Sequence, residues 1–153
     1  MNEVLKGEKK VKTKKKEGYV IGYNRKIRVN FKIPYGYAED DSDIEGDRKY
    51  YDKGYSTISV YLLRGSAVDK ISEICTSRTF DKNGKIILNK NQEVPKIEEI
   101  KYDSRQIYHA ISEDEEVYTT QISKEYLYLV IVDDEENNIR QKEVEAFLKI
   151  NVS

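Results

Sequence analysis

Little in this chain lends itself to covalent or metal chemistry. Its 153 residues hold one cysteine (Cys75), one histidine (His109), two prolines and no tryptophan. A lone cysteine excludes an intramolecular disulfide and a multi-cysteine zinc site, and it fits a reducing compartment best. A lone histidine excludes a multi-histidine metal centre. Neither residue lies in a nucleophile motif such as G-x-S-x-G, so His109 reads as a structural or surface side chain. The short glycine turns at residues 64–67 (RGSA) and 82–85 (KNGK) are too brief and wrongly spaced to cradle phosphates. No apolar run approaches the roughly 20 residues that cross a bilayer as a helix. The charged N-terminus is not followed by the apolar stretch of a secretory signal. These absences lead to the expectation of a soluble, cytoplasmic protein with no cofactor, no metal and no membrane partner.

What is present favours strands. Ile and Val number 29, against 12 for Leu, Met and Ala together, and there are 13 tyrosines. β-branched and aromatic side chains pack well on a pleated surface and lose χ1 freedom in helices. The expected fold is mainly β, an antiparallel sandwich or curved sheet, with one or two short helices. Two units are expected: a basic flexible arm over residues 1–17 and one β-rich domain over 18–153.

Charge is balanced in total and lopsided in place. The formal net charge is −1, yet residues 1–32 carry +8 and residues 113–145 carry −8. Seven of the first sixteen residues are lysine. Like charges without an apolar pattern predict an arm that does not fold by itself, and the asymmetry predicts a partner for it.

Along the chain, odd positions from Tyr19 to Ile33 alternate with polar ones, which predicts a strand whose odd face, Tyr19 and Tyr23 included, is buried. A turn at Asn24-Arg25 would instead split it into a hairpin. Pro34 ends it, because proline cannot donate to a ladder. Residues 34–56 read as a long loop rich in Tyr, Asp and Gly. Ile58, Val60 and Leu62 share one face of the next strand. Residues 67–75 read two ways: Ser66 caps a short helix with Ala67, Val68 and Ile71 inward, or the segment is extended. Asp81-Lys82-Asn83-Gly84 predicts a hairpin turn. Ile97, Ile100, Ser104, Ile107 and Ile111 follow a helical 3–4 spacing. The run 126–132 (YLYLVIV) predicts a central strand buried on both faces, followed by a polar turn and a returning strand.

Acidic stretches around 111–117 and 132–138 read as solvated turns, not paired catalytic carboxylates, and no enzymatic activity is expected. Residues 41–52 imitate a calcium loop with acids at positions 1, 3 and 5 and Gly46 at 6. Glu45, Arg48 and Asp52 depart from that pattern, and an exposed acidic loop is the better reading.

The candidate partner-binding residues are therefore basic and aromatic. Lys12, Lys14, Lys15, Lys16, Lys26, Arg28 and Lys32 form one group. Tyr35, Tyr37, Tyr50, Tyr51 and Tyr55, five tyrosines within 21 residues, form the other. Tyrosine gives a large rigid contact with a polar tip and is enriched at interfaces. The expected function is a non-enzymatic interaction or assembly protein, such as a virion or tail component made in the cytoplasm. Its arm would dock on a protein partner or on a copy of itself. One alternative is a nucleic-acid-binding accessory protein, with lysines on phosphates and Tyr19 and Tyr23 stacked on bases. Another is a small inhibitor or regulator that presents acidic, tyrosine-rich loops.

Overall fold

In the computed structural model, which describes residues 16–22, 25–40, 47–75, 78–80, 82–84, 86–88, 96–112 and 115–153, the alternating segment after the basic arm folds as a hairpin. β1 (Lys16–Ile21) pairs antiparallel with β2 (Arg28–Ile33), with Gly18 opposite Phe31 and Val20 opposite Val29. The Gly22 N–H donates to the Ile27 carbonyl at 2.8 Å, and Arg25 turns the chain at φ 59°. Facing residues share a side of the sheet, so the buried positions are even in β1 and odd in β2. Tyr19 consequently lies on the outer face, a correction to its expected core position. Tyr23 lies outside the described residues, as do residues 1–15. Lys16 and Glu17, assigned to the arm by sequence, open β1.

β2 stops at Ile33, as Pro34 requires. The stretch expected to be a loop holds β3 (Ala38–Asp40) and β4 (Arg48–Lys53), which pair with each other. β4 then pairs with β5 (Ser56–Arg64), on which Ile58, Val60 and Leu62 are buried together. The calcium-loop frame is broken as well. Its last five residues belong to β4, and Asp52 accepts the Thr57 hydroxyl at 2.8 Å. Residues 41–46 of that frame lie outside the described residues.

α1 (Ala67–Cys75) buries Ala67, Ile71 and Cys75, while Val68 is exposed and not inward. Its first N–H is capped mainly by Gln121, whose Oε1 accepts from Ala67 at 2.8 Å. The expected Ser66 cap contributes a longer bond of 3.4 Å. β6 (Arg78–Phe80) and β7 (Ile86–Leu88) form the expected hairpin, with Gly84 at φ 77°.

The helix expected over Ile97–Ile111 is instead the hairpin of β8 (Glu98–Tyr102) and β9 (Arg105–Ser112). Asp103 and Ser104 both take positive φ, 50° and 67°, as a tight two-residue turn between twisted strands requires. β10 (Glu115–Gln121) and β11 (Tyr126–Asp133) follow. After the polar turn the chain returns as α2 (Gln141–Leu148) rather than as a strand, leaving only the short β12 (Asn151–Val152). Val144, Phe147 and Leu148, spaced i, i+3, i+4, form its buried stripe.

The described strands form a seven-stranded sheet in the order β3-β4-β5-β11-β10-β9-β8, a three-stranded sheet β1-β2-β12, and the β6–β7 pair, all antiparallel. The expected mainly-β fold with two short helices is what is observed. β11 is the middle strand of seven and is covered on both sides, as its apolar run predicts. Tyr126, Tyr128, Val130 and Val132 face the small sheet and α2, and Leu127 and Leu129 face α1. Among the described residues no helix is long and apolar enough to cross a membrane.

Candidate interaction surfaces

Pleating the small sheet against the large one sends Gly18, Val20, Val29, Phe31 and Ile33 inward. Tyr19, Arg28 and Lys32 are left on the outside. The Arg28 guanidinium lies 4.0 Å from the centre of the Tyr19 ring, and Lys49 Nζ from β4 lies 3.7 Å from it. The electron-rich ring attracts both cations. A nucleobase stacking on Tyr19 would have to compete with these cations for the ring. Arg28 Nε also donates to Asn30 Oδ1 at 2.8 Å, which fixes the guanidinium in place.

The first group of candidate residues is thus brought together in part. Lys16, Lys26, Arg28 and Lys32 are all exposed on the small sheet or its turn. Lys12, Lys14 and Lys15 lie outside the described residues. Lys49 joins this basic surface without having been anticipated. It sits in a segment whose Tyr, Asp and Gly content hides a strand, so no periodicity marked it.

The tyrosines divide. Tyr37 and Tyr51 belong to the core, packed at 5.6 and 5.4 Å against the Phe147 ring, and offer no surface to a partner. Burial, then the nearby carboxylates Glu143 and Glu39, hold their hydroxyls protonated well above the usual range. Tyr50 packs edge-on against Tyr61, whose hydroxyl burial and its hydrogen bond with Tyr50 push up to about 12. Tyr35 and Tyr55 are the two that remain, 75% and 92% exposed. Each stands in a turn beside a positive-φ glycine, Gly36 and Gly54. The two turns approach each other: a Cβ built on Gly36 would lie 3.9 Å from Lys53 Cε, and Lys53 directly precedes Gly54.

Acids gather at this same end of the large sheet. Glu115 stands opposite Asp133, and Asp133 stands opposite Thr57, two residues beyond Tyr55. Asp134 anchors the following turn, accepting from Ser56 Oγ at 2.6 Å and from the N–H groups of Asn138 and Ile139 at 2.8 and 2.9 Å. Asn138 in turn donates to Glu136 at 3.4 Å, while Glu135 is exposed. Glu143 ties the end together. It accepts from Lys53 Nζ at 2.6 Å, from the Arg140 N–H at 2.7 Å and from the Tyr37 hydroxyl at 3.2 Å. Sequence reading counted these acids as an excess of charge but could not see that strand pairing collects them.

Partial burial alone would raise the carboxyl pKa values of Asp134 and Glu143. Their hydrogen bonds and the Lys53 charge outweigh it and leave both lowered. A lowered folded-state pKa contributes stability that is complete above the unfolded value near 4 and is lost as pH falls through the folded value. The thermal midpoint is accordingly expected to drop on acidification below about pH 4. Asp134→Asn and Glu143→Gln should each lower the midpoint at pH 7 and flatten that acid limb. An acid limb equally steep in both variants would place its origin elsewhere.

His109 lies in β9, stacked on Tyr118 with ring centres 4.3 Å apart, between Glu98 at 3.9 Å and Glu116 at 3.8 Å. Cys75 is buried under α1, and burial pushes its thiol up, away from the thiolate a nucleophile needs. A cleft of about 530 Å³ between β2 and α2 mixes Lys32, Lys142 and Lys149 with Glu17, Asp103 and Glu145, so it selects neither sign of charge. No family model, curated protein or solved structure matches this chain.

Proposed function

We propose that this protein is a non-enzymatic interaction and assembly protein whose lysine-rich N-terminal arm docks on a protein partner, a copy of the same chain being the first choice. The reading is supported above all by the separation of charge on the folded surface. Lys16, Lys26, Arg28, Lys32 and Lys49 lie on or beside the small sheet, and Glu115, Asp133, Glu135 and Glu136 crowd one end of the large one. Surfaces of opposite sign on one molecule favour association of copies and steer their encounter. Residues 16–153 act as the body, and the assembled particle forms in the cytoplasm, for which a virion or tail component is the model. The exposed Tyr35 and Tyr55 beside the acidic turn favour a second reading, a small regulator that presents this end to a basic target.

The nucleic-acid alternative is disfavoured at Tyr19, whose ring Arg28 and Lys49 already engage; its other stacking residue, Tyr23, lies outside the described residues. Any binding to a labelled single strand at 150 mM salt should be sequence-blind and in the non-specific range of roughly 10⁻⁴–10⁻⁶ M. Replacing Lys12, Lys14, Lys15 and Lys16 with glutamine should reduce association of the full chain. Nanomolar single-strand binding that those four substitutions abolish would replace the assembly reading with the nucleic-acid one.

A further inference from the structure

We infer that the end of the fold bearing Tyr35 and Tyr55 is the acceptor for the lysine-rich segment 1–15 of a second copy, and that two copies exchange these segments across a twofold axis. This rests on the assembly reading above and specifies its surface and symmetry.

Three observations converge on it. The first is the exposure of two large aromatic side chains on adjacent turns, Tyr35 at 75% and Tyr55 at 92%. Both rings stand in turns whose glycines take positive φ, Gly36 at 96° and Gly54 at 64°. Tyrosine faces attract ammonium groups, and the ring supplies contact area at small entropic cost.

The second is charge. The Tyr55 turn touches the acidic turn, since a Cβ on Gly54 would lie 3.4 Å from Asn138 Nδ2, and Asn138 bonds Glu136. Segment 1–15 contains six lysines against two glutamates. The small sheet and its turn are the poorer acceptor, because they expose Lys16, Arg25, Lys26, Arg28 and Lys32 against the single acid Glu17.

The third is where the segment leaves the fold. Lys16 pairs with Ile33, which precedes Tyr35 by two residues. The segment is therefore rooted within roughly 12 Å of the surface it complements, given one strand spacing and two residues of chain. Residues 8–15 (EKKVKTKK) contain no Gly, Pro, Asn, Asp or Ser, the residues on which a chain most readily turns back. Eight residues of chain span at most about 26–29 Å, far enough to cross to a neighbour. Root and acceptor on one end make the contact isologous, so it closes at two copies instead of running on as a filament.

The test is sedimentation equilibrium on the full chain at low salt. The wild type should fit a dimer of twice 17.9 kDa. Tyr35→Ser with Tyr55→Ser should weaken dimerisation at least tenfold with an unchanged thermal midpoint, since both rings are exposed. Reversing the acceptor (Glu135→Lys with Glu136→Lys) and reversing the segment (Lys12→Glu, Lys14→Glu and Lys15→Glu) should each leave a monomer. Mixing these two reversed proteins should restore a dimer, because each segment then meets an acceptor of opposite charge. Failure of the mixture to dimerise would overturn the exchange. If the lysine substitutions abolish association while the tyrosine and glutamate substitutions leave it intact, the acceptor is wrong and the assembly reading survives. A wild type that is monomeric throughout would end both.

Discussion

Phe147→Ala is expected to destabilise the protein by about 3–5 kcal/mol, the usual cost of truncating a fully buried phenylalanine. Phe147 is completely buried where α2 meets both sheets, with ring centres of Phe31, Tyr37 and Tyr51 at 5.6, 5.6 and 5.4 Å. Three of the four rings come from different elements, so removing the central one opens a cavity that no single element can collapse to fill. Its carbonyl also accepts the buried Tyr128 hydroxyl at 2.7 Å, which locks the end of α2 to the middle strand of the large sheet. Urea unfolding should show a lower midpoint, with the spectrum of the folded state retained. A loss below about 1 kcal/mol would mean that the site collapses readily and that Phe147 is not the link between the layers.

The second large effect is expected at Gly18, where the small sheet presses on the large one. A Cβ there would stand 2.6 Å from Phe31 Cε2 and 2.8 Å from the Tyr51 hydroxyl oxygen. Neither neighbour gives way cheaply. Phe31 packs edge-on against Tyr51 at 5.6 Å, and Tyr51 is held by its hydrogen bond to Glu39 at 3.2 Å. Gly18→Val should therefore cost about 1–3 kcal/mol or somewhat more, as overpacking of a filled core does. Backbone conformation is not the reason, since Gly18 does not take a positive φ. Equal stability of the variant would show that the two sheets do not approach as closely as described.

Much of the scaffold was legible because its signals were local. The unbroken run at 126–132 marked a strand covered on both faces, and Asp81–Gly84 marked a turn through glycine's freedom at positive φ. Segment 97–111 misled for a physical reason. β9 is covered on both faces, with Ile107 toward the small sheet and Ala110 toward α1, so clean period-2 alternation is lost. The spacing of the surviving isoleucines then imitates a helix, although Ile111 is in fact 63% exposed. Only the Asp103-Ser104 turn, where two non-glycine residues take positive φ, divides the segment.

At the C-terminus the reverse happened. The helix was marked by Val144, Phe147 and Leu148 and by Glu143 reaching back to the Arg140 N–H, but β-branched neighbours on either side favoured a strand reading.

The interaction surfaces were legible only as composition. The sequence separates basic and acidic segments, and five tyrosines crowd one stretch. Which tyrosines are free depends on register: Tyr51 and Tyr37 turn inward, while Tyr35 and Tyr55 fall in turns. Register across the β1–β2 hairpin likewise decided that Tyr19 is outside, beside Arg28. Such outcomes depend on long-range pairing, which single-residue patterns do not encode.

Light scattering of the full chain across protein and salt concentration tests the central claim, association through the lysine-rich arm, most directly. The arm and its acceptor are exposed charges, screened over about 30 Å at 0.01 M salt but only about 8 Å at 0.15 M. The predicted mass lies above 17.9 kDa at low salt, rises with protein concentration and falls toward that value as salt is added. With Lys12, Lys14, Lys15 and Lys16 replaced by glutamine it should stay near 17.9 kDa throughout. A wild-type mass fixed at 17.9 kDa under all these conditions, or association unchanged by the four substitutions, would contradict the account.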